Sequence, residues 1–265
     1  MTIKIKTMNN LFDIHSHLNL NQFDTDRDAV IARMKEEGVS TITVGVDLAT
    51  SREAGSLAEK NPETLFACIG QHPTGNATEA FDMDAYVELG AHSSVVAIGE
   101  CGLDYYRDEK PETKVAQKEL FLKHIELAKT LNKPLMIHAR PSKGNMDAYE
   151  DALDILEQHD VRANFHFFVG DAVVAARIIK NGWTVSYDGP ITFSSDYDDV
   201  IRSIPIESIM AETDAPFAAP APYRGQRCEP WMVGEVVKKI AELKEMSVED
   251  VQRQLRENVN RVFGL

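Results

Sequence analysis

The sequence predicts an α/β chain folded as a (β/α)8 TIM barrel with a C-terminal helix, and three observations carry that reading. Eight short apolar or β-branched runs alternate with stretches of helical periodicity. The length of 265 residues suits eight strand–helix units in one domain spanning 1–265. Five of the eight runs carry a candidate ligand, a histidine or a carboxylate, at or near their C-terminal end, and the C-terminal ends of barrel strands form one common face.

In chain order the strand candidates are LFDIHSH (11–17), STITVGV (40–46), TLFACIGQH (64–72), SVVAIGE (94–100), KPLMIHA (133–139), RANFHFF (162–168), WTVSYDG (183–189) and SIMAETD (208–214). Between the first two, DTDRDAVIARMKEEG reads as a helix with Asp24 or Thr25 as its cap and Gly38 as its stop. TKVAQKELFLKHIELAKTLN has apolar residues recurring at three and four, the helical period. Strands separated by helices must pair in parallel, and eight such units favour a closed barrel over an open doubly wound sheet. The tail SVEDVQRQLRENVNRVFGL reads as an amphipathic helix closing over the barrel, with Ser247 at its start.

Composition narrows the function. No Gly-rich G-x-G-x-x-G or Walker sequence follows any strand, which removes the main nucleotide-binding classes. The formal charge of −14 argues against a broad basic surface for many phosphates, so a nucleic-acid partner has to be gripped locally. Cys68, Cys101 and Cys228 are far apart and odd in number, which points to a reducing compartment rather than a disulfide framework. MTIKIKTMNN is too short and polar for a signal peptide, and no run approaches the roughly 20 apolar residues that span a bilayer. The expectation is a soluble, cytoplasmic protein without a membrane partner; the sequence leaves the oligomeric state open and is compatible with a monomer.

His15 and His17 pose the chemical question. Residues at i and i+2 of an extended chain point to one face, so both imidazoles can reach one cation about 2 Å from each nitrogen. The other strand ends supply Glu100, His138, His166 and Asp214. The steps between them are 83, 38, 28 and 48 positions for three, one, one and two units, each compatible with a strand, a helix and two loops. Four imidazoles and two carboxylates exceed the shell of one tetrahedral zinc but suit two divalent cations that share a carboxylate. On this reading His15, His17 and Asp214 hold one ion, His138 and His166 hold the second, and Glu100 bridges. Such a pair activates water and neutralises a developing anion, with Asp214 placed to take a proton. A mixed N/O shell accepts Zn2+, Mg2+ or Mn2+.

At these residues the chain resembles the TatD family of metal-dependent hydrolases, within the amidohydrolase superfamily. The matching stretches are FDIHSHL, IGQHP (69–73), IGECGLDYYRD (98–108), PLMIHAR (134–140), FHFFVG (165–170), ETDAPF (212–217), PYRGQRCEP (222–230) and NVNRVFGL, in the family's order. The resemblance implies a (β/α)8 barrel, one or two divalent ions, and cleavage of phosphodiester bonds in nucleic acid, often as a magnesium-dependent deoxyribonuclease. It implies the same six ligands. Phe167 and Val169, the long segment after His138, and Cys101 and Cys228 depart from the family's pattern, and they bear on substrate more than on metal.

Beyond the ligands, Arg107, Arg140, Tyr223, Arg224 and Arg227 lie in loops after strands four, five and eight, where a guanidinium can clamp a phosphate with two hydrogen bonds. Each of these arginines can equally pair with a nearby carboxylate such as Asp104 or Glu229. Tyr105 and Tyr106 are candidates to stack on a base, His72 to donate a hydrogen bond in the pocket, and Asp13 to orient an imidazole from behind. His92, His124 and His159 fall outside the strand ends and carry no chemistry on this reading. The same centre also serves carboxylic esters, amides or the aminoacyl ester of tRNA, which is the alternative to nuclease action.

Overall fold

The structure is a computed structural model that describes residues 11–76, 80–107 and 110–265; MTIKIKTMNN lies outside the described residues. Eight strands run β1 Leu11–Ser16, β2 Val39–Val44, β3 Leu65–Ile69, β4 Val95–Asp104, β5 Leu135–Arg140, β6 Ala163–Phe165, β7 Thr184–Tyr187 and β8 Ile209–Ala211. Each pairs in parallel with the next. The seam between β8 and β1 is closed just beyond β8, where His17 N–H donates to the Ala215 carbonyl at 2.7 Å and Asp214 N–H to that of His15 at 2.9 Å. The result is the TIM barrel that the alternation predicts.

The helices are α1 Arg27–Glu37, α2 Leu48–Lys60, α3 Pro73–Asn76, α4 Met83–Gly90, α5 Pro111–Leu131, α6 Asp147–Leu156, α7 Ala172–Lys180, α8 Asp198–Ser203, α9 Val233–Lys244 and α10 Val248–Phe263. Their buried faces, such as Val30, Ile31 and Met34 of α1, pack with strand residues such as Val39 and Leu65 in the main core. Gly38 ends α1 in the left-handed conformation at φ 70°, as expected of a stop residue. Its start differs from expectation. Asp26 stands at the N-cap without a side-chain cap bond. Its carboxylate is taken by Arg227 at 2.7 and 2.8 Å, and Asp24 is taken by Arg27 at 2.6 Å. Ion pairing outcompetes capping at this terminus.

The tail helix α10 starts as predicted, with Ser247 Oγ accepting from Asp250 N–H at 3.1 Å. Its Val259, Val262 and Phe263 pack with Phe12, Ile14, Ile42 and Met210 of the strands. Asn258 donates to the carbonyls of Ile206 and Ile209 at the start of β8. Arg162, just before β6, donates to the Val262 carbonyl. These contacts place α10 at the N-terminal ends of the strands, so the opposite mouth is left open.

Glu100 does not end its strand. The fourth strand continues to Asp104 because Gly102, at φ 129°, lets β4 lie so close to β5 that a Cβ would meet the His138 carbonyl at 2.2 Å. That extension brings Asp104 and the residues after it beside the metal candidates. Among the described residues no helix is long and apolar enough to cross a membrane.

Candidate metal centre

The structure brings the six predicted ligands together at the C-terminal mouth. Glu100 lies at their middle and its two oxygens face different partners. Oε1 is 2.8 Å from His166 Nε2 and 2.9 Å from His138 Nδ1. Oε2 is 3.5 Å from His15 Nε2 and 3.7 Å from His17 Nε2. Asp214 Oδ1 completes the second group, at 3.3 Å from His17 Nε2 and 3.7 Å from His15 Nε2. The division matches a bridging carboxylate with one oxygen for each of two cations.

Ligand nitrogens must offer a lone pair, and the outer nitrogen of each ring reports whether they do. His17 Nδ1 is 2.9 Å from the Val44 carbonyl, which can only accept, so the ring's proton sits there and Nε2 is free to ligate. His138 is fixed in the opposite sense. Its Nε2 donates to Asp104 Oδ2 at 3.1 Å, which leaves Nδ1 for the centre. His166 turns Nε2 to Glu100, and its Nδ1 faces Glu212 Oε1 at 3.5 Å without a hydrogen bond. His15 Nδ1 is buried without a hydrogen-bond partner among the described residues, so its ring is held by stacking on His166 at 4.0 Å. This donor set, imidazole lone pairs and carboxylate oxygens converging on common points, fits divalent cations.

His72 lies close but is built differently. Its Nε2 is 3.3 Å from Glu100 Oε1, and with Glu100 and His138 it forms a compact triad of potential ligand atoms. Its Nδ1, however, accepts the Thr74 N–H at 3.1 Å and the Thr74 hydroxyl at 2.7 Å. The neutral ring therefore carries its proton on Nε2. The tautomer decides against the triad's geometry: His72 donates to Glu100 or to substrate and does not offer a lone pair.

Electrostatics agree with this arrangement. Burial alone would raise Glu100, but the imidazoles around it, His166 first, hold it well below the usual carboxylate range. Burial likewise opposes Asp214, and His17 outweighs it and pulls the carboxyl down. Burial depresses His17, His138 and His166, yet the facing carboxylates Asp214, Asp104 and Glu100 leave all three raised. Burial, then the neighbouring His166, lowers His15. Two residues at the centre, Phe167 at φ 46° and Asp214 at φ 55°, adopt the left-handed backbone, a strain of about 1 kcal/mol or more each. Asp214 is kept there by its N–H to His15 and by the Phe217 N–H to its own carbonyl at 2.9 Å.

Asp104 and Glu212 are supporting residues that the spacing did not single out. Glu212 accepts from Phe167 N–H and Ser186 Oγ, both at 2.6 Å, which places it behind His166. Its place two residues before Asp214 is the one signal the sequence offered. Asp13 is a correction to expectation, because its carboxylate reaches no imidazole. It accepts instead from the backbone N–H of His15 and from the N–H and hydroxyl of Thr213, tying β1 to the segment after β8.

The mouth is a cleft of about 1080 Å³ in which Glu100, His17, His138, His166 and Asp214 meet solvent. Arg107, Arg140 and His72 line it, but Tyr223 and Arg224 do not. Tyr223 packs on Trp231 at 5.2 Å and Arg224 stacks on Phe193 at 3.8 Å, so their own aromatic neighbours hold them elsewhere. Arg227 is committed to Asp26 and Glu229. Tyr105 is core, with its hydroxyl on Asp151 at 2.8 Å, whereas Tyr106 is 52% exposed at the cleft. His124 is a core residue, accepting the Gln71 N–H and donating to the Leu120 carbonyl, and burial pushes it down to about 4.

Known proteins share this architecture over nearly the whole chain. Residues 12–264 match the sequence profile of the family described as TatD related DNase. YabD of Bacillus subtilis, named an uncharacterized metal-dependent hydrolase, is 42% identical over 266 residues, 96% of this chain and 99% of its own. YcfH of Escherichia coli, with the same description, is 34% identical over 264 residues, 96% of each chain. The crystal structure of the TatD homolog YjjV from Escherichia coli superposes with a TM-score of 0.87 at 26% identity, covering 96% of this chain and 98% of that one.

Proposed function

The chain belongs to the TatD family of metal-dependent hydrolases, and from that premise we propose that it is a nuclease that hydrolyses phosphodiester bonds of DNA, using two divalent cations held by the six ligands. The observation that carries the reading is the division of Glu100: one oxygen faces His138 and His166, the other His15 and His17. Cations bound there supply Lewis acidity, which makes water nucleophilic at neutral pH and offsets charge on the phosphate.

The chain's own groups do the rest. Asp214, kept ionised by His17 and open to the cleft, takes the proton from the attacking water. His72 presents an N–H toward the Glu100 side of the cleft, where it can hold a phosphate oxygen. Arg107 and Arg140 give local attraction for an anion in a chain of net charge −14. Across the mouth Tyr197 and Phe217 offer aromatic surface for bases. A cytoplasmic location accords with the three buried free thiols, which suit a reducing compartment.

The test is hydrolysis of end-labelled single-stranded DNA, with EDTA and with Mg2+, Mn2+ or Zn2+ restored in turn, beside Asp214→Ala. Metal-dependent shortening that disappears in the variant supports the reading. Intact DNA in every lane, together with turnover of a carboxylic or aminoacyl ester, overturns it in favour of an esterase.

A further inference from the structure

We infer that Arg140, stacked on Tyr106, is a subsite for a second phosphate group, one backbone step outside the metal centre, so that substrates carrying two phosphates are bound in preference to those with one. The inference rests on the proposed phosphodiester chemistry and adds a determinant of which substrates are taken.

Register carries the argument. Gly102 pairs with His138 and Asp104 with Arg140 across β4 and β5. His138 and Arg140 are two residues apart on one strand, so their side chains leave the same face about 6.6 Å apart along it. The side-chain contacts run one step diagonal to that register. His138 meets Asp104 at 3.1 Å, and the next side chain out on its face, the Arg140 guanidinium, lies over the ring of Tyr106, two residues past the end of β4, at 4.1 Å. Arg140 thus stands one strand step outward from a ligand, on the same face and on the wall of the cleft.

Its partners set it apart from the other arginines of this mouth. Arg107 Nε stands 3.8 Å from Asp104, Arg227 is paired with two carboxylates, and Arg224 is stacked outside the cleft. Among the described residues no carboxylate lies within ion-pair distance of Arg140. The ring beneath fixes the guanidinium plane while leaving its N–H groups for a bidentate acceptor, and phosphate matches that fork. The wall that follows is also set in advance: Ser142 N–H and Oγ both donate to Asp147, which Lys114 pairs at 2.7 Å. The subsite needs little ordering on binding.

The experiment is calorimetric titration of the metal-loaded protein with thymidine 5′-monophosphate and with thymidine 3′,5′-bisphosphate, for wild type, Arg140→Gln, Tyr106→Leu and the distant surface control Lys123→Gln. The bisphosphate should bind at least tenfold more tightly than the monophosphate to wild type and to Lys123→Gln. In Arg140→Gln the two affinities should converge, and in Tyr106→Leu the gap should narrow. Equal affinities in wild type, no binding of either probe, or a gap that survives Arg140→Gln overturns the subsite. Should Arg140→Gln fail to fold, a gap unchanged in Tyr106→Leu overturns it equally. Failure to cut DNA despite a bisphosphate preference lost in Arg140→Gln would instead refute the nuclease reading and leave the subsite standing.

Discussion

Asp104 Oδ2 holds His138 Nε2 at 3.1 Å, and that single contact decides which nitrogen of His138 faces Glu100. Without it the ring is free to carry its proton on Nδ1, the ligand atom. Asp104→Ala is expected to weaken metal binding by about 10–100-fold, the usual cost of removing a group that orients a ligand. Metal affinity by chelator competition, with circular dichroism as the check on folding, measures it. Unaltered affinity in a folded variant would refute the assignment.

Glu100 and Asp214 differ in what their loss should do. Glu100→Ala removes both halves of the bridge and is expected to lower bound metal as well as activity. Asp214→Asn keeps a ligating oxygen but cannot accept a proton, so activity should fall by about 10²–10⁴-fold while some metal is retained. Metal content by mass spectrometry, read beside turnover, separates the two roles.

His72 is the contrary case. Because Thr74 occupies its Nδ1, His72→Ala should leave metal content unchanged and lower turnover by about tenfold or more, the worth of one hydrogen bond to a charged group. A parallel loss of metal would show that His72 is a ligand after all.

Acid should empty the centre. His17, His138 and His166 have folded-state values raised above the ordinary histidine value, so each holds its proton to a higher pH than in the unfolded chain. In the metal-free protein their contribution to stability is full below the ordinary histidine value and is lost as pH rises through the raised ones. Metal has to displace those protons, so below the raised values its affinity falls by about tenfold per pH unit for each proton displaced. The gain in Tm on adding Mn2+ is therefore expected to be larger at pH 8 than at pH 5.5. An equal gain at both would contradict the coupling.

Much of this was legible in the chain, because strand alternation and strand-end residues have short-range signatures. The eight strands, the helix starting at Ser247 and the convergence of six side chains all follow from periodicity and from the barrel's single functional mouth. What escaped depends on contacts between distant residues. The cap of α1 turns on Arg227, some 200 positions away, and Asp13 spends its carboxylate on Thr213 rather than on a ring. The extension of β4 to Asp104 needs the close approach of Gly102 to β5, which no local pattern reports. Tyr223 and Arg224 had the right residue types in the right loop, and Trp231 and Phe193 hold them away from the cleft.

Anomalous diffraction from crystals grown with Mn2+ tests the central claim most directly. The account predicts two peaks, one bound by His15, His17 and Asp214, the other by His138 Nδ1 and His166 Nε2, with Glu100 contributing an oxygen to each. A single ion, or one ligated through His72 Nε2 in place of these nitrogens, would contradict it.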